Sequence, residues 1–191
     1  MIVGIDYGSK LAGTTVIAFE KEGNLELVCS DKKQDVDQMI LDFVEAYEPS
    51  LIGIDAPLSL PGVYTQKEAF DDYFYRSCDK ELSAMSPMFL GGLTARAMKL
   101  KATIGDKSEL IEVYPAMAAR SLNLERFNYK KKDVEYNKLL NELAPYLPNS
   151  TDIEITTSHQ MDALLALCIV KKHIQGNAST AGLIQEGLIY Y

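Results

Sequence analysis

The chain has few cysteines and carries little positive charge. Its 191 residues include three cysteines, Cys29, Cys78 and Cys168, which are far apart and form no C-x-x-C pair. This spacing excludes a disulfide framework and a thiolate zinc site, and we expect all three to be small buried apolar residues. The formal charge of −8 argues against broad, nonspecific nucleic-acid binding, which needs clustered lysine and arginine, but it leaves room for a local basic groove.

Long apolar runs are also missing. No segment approaches the length of a membrane span, and the N-terminus has no basic segment of the kind that begins a secretory signal. The sequence therefore predicts a cytoplasmic protein that does not enter a membrane. With 47% hydrophobic residues and no internal repeat or linker, residues 1–191 are expected to form a single domain with a substantial core.

Hydrophobic periodicity predicts an α/β fold. Residues 2–6, 14–19 and 24–29 have the pattern of strands joined by glycine-containing turns, which is typical of successive antiparallel hairpins. An amphipathic helix is predicted over 35–47. Because this helix is a crossover, the strand at 51–55 should lie parallel to the first strand.

The second half of the chain is predicted to be mainly helical. A helical insertion is expected over about 65–105, between the fourth strand and a fifth strand in SELIEVYP, which begins at Ser108. Further helices are expected at 116–123, 133–145, 156–174 and 179–186. The result is a mixed five-stranded sheet, with three antiparallel strands and further parallel ones, and helices on both faces.

Two of the predicted strands end in the same three residues. Gly4-Ile5-Asp6 closes the first strand, and Gly53-Ile54-Asp55 closes the fourth. Parallel neighbours bring their C-terminal ends to one edge of the sheet, where open α/β folds place their ligands, so Asp6 and Asp55 should face each other. Adjacent strands are roughly 4.8 Å apart, and carboxylates at that spacing raise each other's pKa unless a cation lies between them. Mg²⁺ and Mn²⁺, which prefer oxygen ligands, are the natural counter-ions.

A late helix supplies further polar candidates. In TTSHQMDAL, His159 and Asp162 are three residues apart and so share one face of the helix. Asp162 is either a ligand at the same site or a partner of the helix dipole, because the N-terminal end of a helix favours an acid. Glu112, near the end of the fifth strand, is a fourth acidic candidate, although a lone glutamate in that place is more commonly solvated.

Each candidate has an ordinary structural interpretation when it is taken alone. An aspartate at a strand end commonly forms an Asx-turn, and a single histidine is weak evidence for any site. The run Lys130–Lys132 is typical of a solvated surface, and Arg76, Arg96 and Arg120 could each bind phosphate or pair with an acid. It is the repeated strand ending that favours a site over these interpretations.

Taken in order, the motifs resemble a known superfamily. An aspartate on strand 1, an acid on strand 4 and an aspartate on a late helix are similar to the RNase H fold, and GIDYG with SHQMDAL is similar to the RuvC-type Holliday-junction resolvases. GID, IGIDAPLSLP, TARAMKL, IEVYP and DALLAL resemble family 429 of the domains of unknown function (DUF429), whose members are described as predicted nucleases. The resemblance implies metal ligands at Asp6, Asp55 and Asp162, an auxiliary role for His159, and Glu112 as a further candidate.

The activity implied by this resemblance is phosphodiester hydrolysis of nucleic acid, DNA or RNA, at a two-metal site. In such sites two divalent ions about 4 Å apart activate water and stabilise the leaving oxygen, while carboxylates position the ions. Asp6 is expected to bridge both ions, and Lys10, Arg96 and Lys131 are candidates for holding phosphates. One departure concerns Asp55, which stands where RNases H and resolvases usually have glutamate, so its shorter side chain could change the metal spacing or leave only a binding site.

Two other classes of function remain open. Actin-like and sugar-kinase proteins also have a phosphate loop that follows a strand as GIDxG, but they repeat the fold in two halves, and 191 residues accommodate only one. A catalytically inactive RNase H-like binding domain is the second alternative. Stabilisation by a divalent metal would favour the nuclease, and stabilisation by a nucleotide would favour the kinase-like class.

Overall fold

The structure, a computed structural model, describes residues 1–148 and 153–191. These residues form one sheet whose order is β3-β2-β1-β4-β5-β7-β6. The strands are β1 (Ile2–Asp6), β2 (Val16–Lys21), β3 (Asn24–Cys29), β4 (Leu51–Ile54), β5 (Glu109–Val113), β6 (Thr180–Ala181) and β7 (Ile189–Tyr190).

The directions of the strands agree with the sequence. β1 and β2 are antiparallel, as are β2 and β3, whereas β4 is parallel to β1 and β5 is parallel to β4. This confirms the predicted mixed sheet, in which antiparallel strands are followed by parallel ones. The described sheet has seven strands rather than five, because β7 adds parallel to β5 and β6 adds antiparallel to β7.

The predicted helix at 179–186 is wrong. The chain forms β6 there and then turns back toward β7. Gly182 and Gly187 have φ angles of +98° and +95°, which glycine adopts without steric cost. These two residues turn the chain where a helix was expected, and strands of two residues are too short to show an alternating pattern.

Helices lie on both faces of the sheet. They are α1 (Val36–Tyr47), α2 (Ser77–Leu82), α3 (Pro87–Leu90), α4 (Gly92–Ile104), α5 (Pro115–Ser121), α6 (Tyr136–Leu143) and α7 (Ser158–Ile174). In the part of the chain that the structure describes, none of the helices combines the length and apolar character needed to cross a bilayer. Asp35 is the N-cap of α1, and its side chain accepts hydrogen bonds from the backbone N–H groups of Asp37 and Gln38. The N-terminus of α7 has a capping box formed by Thr157 and Gln160.

Between β4 and β5, α-helices occupy the second part of the segment 65–105. α2, α3 and α4 lie within 77–104, whereas 65–76 contains turns and irregular backbone. The Asp72 side chain accepts hydrogen bonds from the backbone N–H groups of Phe74 and Tyr75. This local bonding competes with helical hydrogen bonds and places turns ahead of α2.

Two apolar cores lie on opposite faces of the sheet. One contains α5, α6 and α7 with residues such as Val113 and Leu164, and the other contains α1 and α4 with residues such as Ile5 and Ile54. Every residue of α7 from Met161 to Val170 is buried, which is characteristic of a central helix that is surrounded by protein. Cys78 and Cys168 are buried as expected, but Cys29 is exposed.

α7 crosses the sheet at two glycines that are direct partners in the β1–β4 pairing, Gly4 and Gly53. A Cβ atom at Gly4 would lie 2.2 Å from the backbone nitrogen of Leu167, and one at Gly53 would lie 2.5 Å from Val170 Cγ2. Because any other residue carries this Cβ atom, only glycine lets the helix approach so closely.

The same two glycines determine which way the strand-end aspartates face. Side chains alternate between the faces of a strand, so residues two apart share a face. Asp6 lies two residues after Gly4, and Asp55 lies two residues after Gly53. Both aspartates are therefore directed to the side of the sheet on which α7 packs.

Candidate metal centre

Three aspartates from three elements meet at the C-terminal ends of β1 and β4. Asp6 ends β1, Asp55 follows β4, and Asp162 lies in the first part of α7. One carboxylate oxygen of each lies within 4.8 Å of the other two. We call these residues the aspartate cluster. The geometry confirms that Asp6 and Asp55 converge and places Asp162 beside them, while their roles as metal ligands remain a prediction.

Two members of the aspartate cluster are buried, Asp55 is half-buried, and the cluster has little compensating charge. Asp6 and Asp162 are 8% and 4% exposed. Burial raises the pKa of Asp6, and the nearby Asp162 adds to this, although the hydrogen bond with His159 opposes it. Burial raises the pKa of Asp55 well above its ordinary value, and the charges of Asp6 and Asp162 raise it further. Within residues 1–148 and 153–191, the Asp55 carboxylate has no hydrogen bond or ion pair.

His159 contacts one member of the cluster. Its Nδ1 atom lies 2.8 Å from Asp6 Oδ2, and its side chain is 44% exposed. The hydrogen bond to Asp6 raises the pKa of His159, and this outweighs the opposite effect of burial. The contact orients the Asp6 carboxylate, so the auxiliary role of His159 remains a prediction with a specific partner.

Asp162 is held by two adjacent residues, Tyr129 and Lys130. The Tyr129 hydroxyl donates a hydrogen bond to Asp162 Oδ1, and Lys130 Nζ lies 2.9 Å from Asp162 Oδ2. Burial lowers the pKa of Lys130, but the charges of Asp162, Asp55 and Asp6 together raise it above its ordinary value. Lys130 therefore remains a cation beside the aspartate cluster.

Sequence reasoning missed this contact because it assigned Lys130 to a solvated run and did not single out Tyr129. Tyr129 is 33 positions away from Asp162 along the chain, so no local pattern could reveal the pairing. The backbone offers one further observation, since Lys130 has a φ angle of +57°. A left-handed conformation at a non-glycine residue costs on the order of 1 kcal/mol and is more common at functional sites than elsewhere.

Glu112 does not belong to the aspartate cluster. In the β4–β5 pairing it is the partner of Ile54, which faces the core formed with α1 and α4. Glu112 is therefore directed to the face opposite α7. Its carboxylate accepts two hydrogen bonds of 2.7 Å from Arg76 and one of 2.9 Å from the backbone N–H of Leu58.

Arg76 is fully buried and holds two acids. Its guanidinium donates to Asp79 at 2.7 and 3.1 Å, to Glu112 at 2.7 Å twice, and to Ser59 Oγ at 2.8 Å. We call these four residues the Arg76 network. Of the two interpretations open for Arg76, phosphate binding or an acid partner, the structure shows the acid partner.

Two other cations that were candidates for phosphate binding also have acidic partners. Arg96 Nη2 lies 2.6 Å from Asp37 Oδ1, and its guanidinium lies over the Tyr7 ring. Lys10 Nζ lies 2.9 Å from Asp35 Oδ2. Both cations would have to leave these acids, at least in part, to hold a phosphate.

The donor set of the aspartate cluster fits a hard divalent cation. All three donors are carboxylate oxygens, which suit Mg²⁺ and Mn²⁺. Mutual repulsion raises the pKa of Asp6 and of Asp55, and a bound cation would relieve it. The Asp55 carboxylate, which has no partner among residues 1–148 and 153–191, is the clearest indication that the site has capacity for a further positive charge.

One family model and two solved structures are similar to this chain. Residues 4–89 match the family model described as "Protein of unknown function (DUF429)", and no curated protein sequence matches the chain. The fold is similar to Thermus thermophilus RuvC, with 14% identity and a TM-score of 0.48, over 95% of this chain and 98% of that chain. It is also similar to T. thermophilus RuvC in complex with a Holliday junction substrate, with 14% identity, a TM-score of 0.45 and the same coverage. The resemblance to DUF429 is confirmed over residues 4–89, which include the motifs GID and IGIDAPLSLP.

Proposed function

We propose that this protein is a divalent-metal-dependent nuclease that hydrolyses phosphodiester bonds in nucleic acid. The observation that supports the proposal is the aspartate cluster, in which oxygens of Asp6, Asp55 and Asp162 lie within 4.8 Å of one another. These three residues would hold Mg²⁺ or Mn²⁺. When bound, such a metal lowers the pKa of water and stabilises the charge on the leaving oxygen.

The surrounding residues prepare the carboxylates for this task. His159 fixes Asp6 through its Nδ1 atom, while Tyr129 and Lys130 fix Asp162. Partners of this kind orient metal-binding side chains, and their loss typically reduces affinity or activity about 10–100-fold. The carboxylates are therefore positioned before substrate arrives, which reduces the reorganisation needed during the reaction.

Lys130 can contact a substrate phosphate while it stays in contact with Asp162. Its side chain is 44% exposed although it contacts a carboxylate that is 6% exposed. An ammonium group at this boundary can hold a phosphate oxygen from the solvent side while it still compensates the charge of Asp162. This residue thus takes the role that the sequence offered to Lys10, Arg96 or Lys131.

The proposal is tested with purified protein, Mg²⁺ or Mn²⁺, and a panel of single-stranded, duplex, hybrid and branched nucleic acids. We expect metal-dependent cleavage that EDTA stops, together with a higher Tm in millimolar Mn²⁺. Asp6→Asn should remove both effects, whereas the matched change Asp31→Asn, at an exposed position, should remove neither. The proposal fails if the wild-type protein neither responds to metal nor cleaves any substrate. A Tm that rises with nucleotide but not with metal would favour the kinase-like class instead.

A further inference from the structure

A cavity of about 210 Å³ lies at the C-terminal ends of β4 and β5. Most of its wall is apolar. The wall comes from the loop after β4, from the stretch between the end of α2 and the first turn of α4, and from β5 with the residue after it, and its apolar residues include Pro57, Met85, Leu90, Leu93, Val113 and Tyr114. Asp55 lines the same cavity. The cavity and the candidate metal centre therefore share Asp55, so a molecule bound in the cavity lies next to one member of the aspartate cluster.

We propose that this cavity receives an unstacked nucleobase of the substrate, next to the phosphate that is cleaved. The inference rests on the proposed function and specifies its substrate. It requires nucleic acid in which a base at the cleavage site is unpaired or can leave the stack.

The size of the cavity favours a single ring system. Pockets that take whole drug-sized molecules usually have about 300–1,000 Å³, and this one has about 210 Å³. A paired base in a duplex cannot enter it, because a base must leave the helical stack before it can occupy a pocket in a protein surface.

The chemistry of the wall matches the two kinds of surface on a nucleobase. The apolar side chains suit the flat faces of the ring. Glu112 adds a carboxylate to the lining, and carboxylates accept hydrogen bonds from exocyclic amino groups such as that of cytosine. Among the described residues, Glu112 Oε1 accepts one hydrogen bond, from Arg76 Nη2, and a carboxylate oxygen can accept a second.

Exposed apolar side chains near the cavity provide surface for neighbouring bases. Met85, which lines the cavity, is 62% exposed, and Phe89, next to Leu90, is 64% exposed. The Phe89 ring stacks on Phe74, with centroids 5.9 Å apart and planes 28° from parallel. Aromatic surfaces of this kind bind bases of single strands without regard to sequence, which favours a polymer with unpaired bases over an isolated small molecule.

The test compares two labelled single-stranded oligonucleotides that differ only in the bases of three central positions, which are either present or abasic. Binding is measured by fluorescence anisotropy with Ca²⁺, and cleavage is measured with Mn²⁺. We expect the wild-type protein to bind the oligonucleotide with bases at least about tenfold more tightly, because a base held in the cavity adds stacking contacts that the abasic strand lacks. Ala84→Trp, which fills the cavity, should abolish this preference, and Ala95→Trp, on the exposed side of α4, should preserve it.

Each outcome decides between the two proposals. Cleavage without any preference for bases overturns the base pocket and leaves the nuclease proposal intact. A base preference in anisotropy without cleavage supports the pocket and counts against the nuclease. Equal behaviour of Ala84→Trp and Ala95→Trp also overturns the pocket, provided that both variants have the wild-type Tm. If Ala84→Trp does not fold, the abasic comparison on the wild-type protein alone still gives a positive or negative answer.

Discussion

The aspartate cluster and the Arg76 network both bury several acids, but they differ in how the charge of those acids is compensated. In the Arg76 network, one guanidinium makes hydrogen bonds of 2.7–3.1 Å to both carboxylates. In the aspartate cluster, the oxygens of three carboxylates lie within 4.8 Å of one another, and Lys130 and His159 contact only two of them.

The difference teaches how to separate structural acids from functional ones in this molecule. A guanidinium has five N–H donors and can hydrogen-bond two carboxylates at once, so both acids of the Arg76 network have a cationic hydrogen-bond partner within the protein. The aspartate cluster leaves Asp55 without a partner among the described residues. We infer that the first group stabilises the fold and that the second group binds a ligand of opposite charge.

The largest effect should follow from removing a charge of the aspartate cluster. Asp162→Asn should reduce turnover by about 1,000-fold or more and weaken Mn²⁺ binding, because the lost oxygen charge is one of the three that we propose hold the metal. Stability should change little, since the buried side chains of α7 such as Leu164 and Leu165 supply its packing. Calorimetry with Mn²⁺ and a hydrolysis assay at saturating metal provide the measurements. Wild-type metal affinity in the variant would show that Asp162 only complements the helix dipole.

Removing the cation of the Arg76 network should instead affect folding. Arg76→Met leaves Asp79 and Glu112 buried without their partner, and breaking a buried ion pair costs about 3–5 kcal/mol. For a chain of this size that corresponds to a Tm lower by roughly 6–20 °C. Thermal melting is the measurement, with Arg120→Met, at an exposed position of α5, as the control. A variant that melts with the wild type would contradict the structural role of the network.

A smaller effect is expected at the edge of the aspartate cluster. His159→Ala should lower turnover about 10–100-fold and leave Mn²⁺ affinity nearly unchanged, because the histidine orients Asp6 and is not itself an oxygen donor. His173→Ala, which changes the only other histidine of the chain, provides the control. Loss of metal binding in His159→Ala would make His159 a ligand rather than a positioning residue.

The smallest expected effect is a pH-dependent change in stability without metal. Because the pKa of Asp55 is raised above its ordinary value of 3.8, the folded state retains this proton to higher pH than the unfolded chain does. The stability that this proton provides is present below the ordinary pKa and is lost as the pH rises through the raised one.

Asparagine does not ionise, so Asp55→Asn prevents the loss of stability that follows deprotonation of Asp55. In EDTA at neutral pH, the variant should therefore melt a few degrees above the wild type, which corresponds to about 1 kcal/mol. The gap should close as the pH falls to about 4, and Mn²⁺ should raise the Tm of the wild type alone. A gap that is the same at every pH would show that repulsion at Asp55 does not limit stability.

The sequence predicted the centre of the site better than its surroundings. Asp6 and Asp55 could be placed because each closes a strand, and parallel neighbours bring their ends together whatever the rest of the chain does. The direction of Glu112 depended on the register of β5, and a shift of one residue would reverse the face of every side chain on that strand. Tyr129 and Lys130 reach Asp162 from a distant part of the chain, so only the folded structure reveals them.

The close crossing of α7 over Gly4 and Gly53 also prevents the helix from sliding along the sheet. A helix that moves by one residue travels about 1.5 Å along its axis and turns by about 100°, which would carry Asp162 away from the two strand ends. The backbone atoms of α7 around Leu167 lie in the space that a Cβ at Gly4 would occupy. The helix can therefore pack this closely on the sheet in one position only. The spacing of the three carboxylates is therefore set by backbone contact, and it is established before any cation arrives.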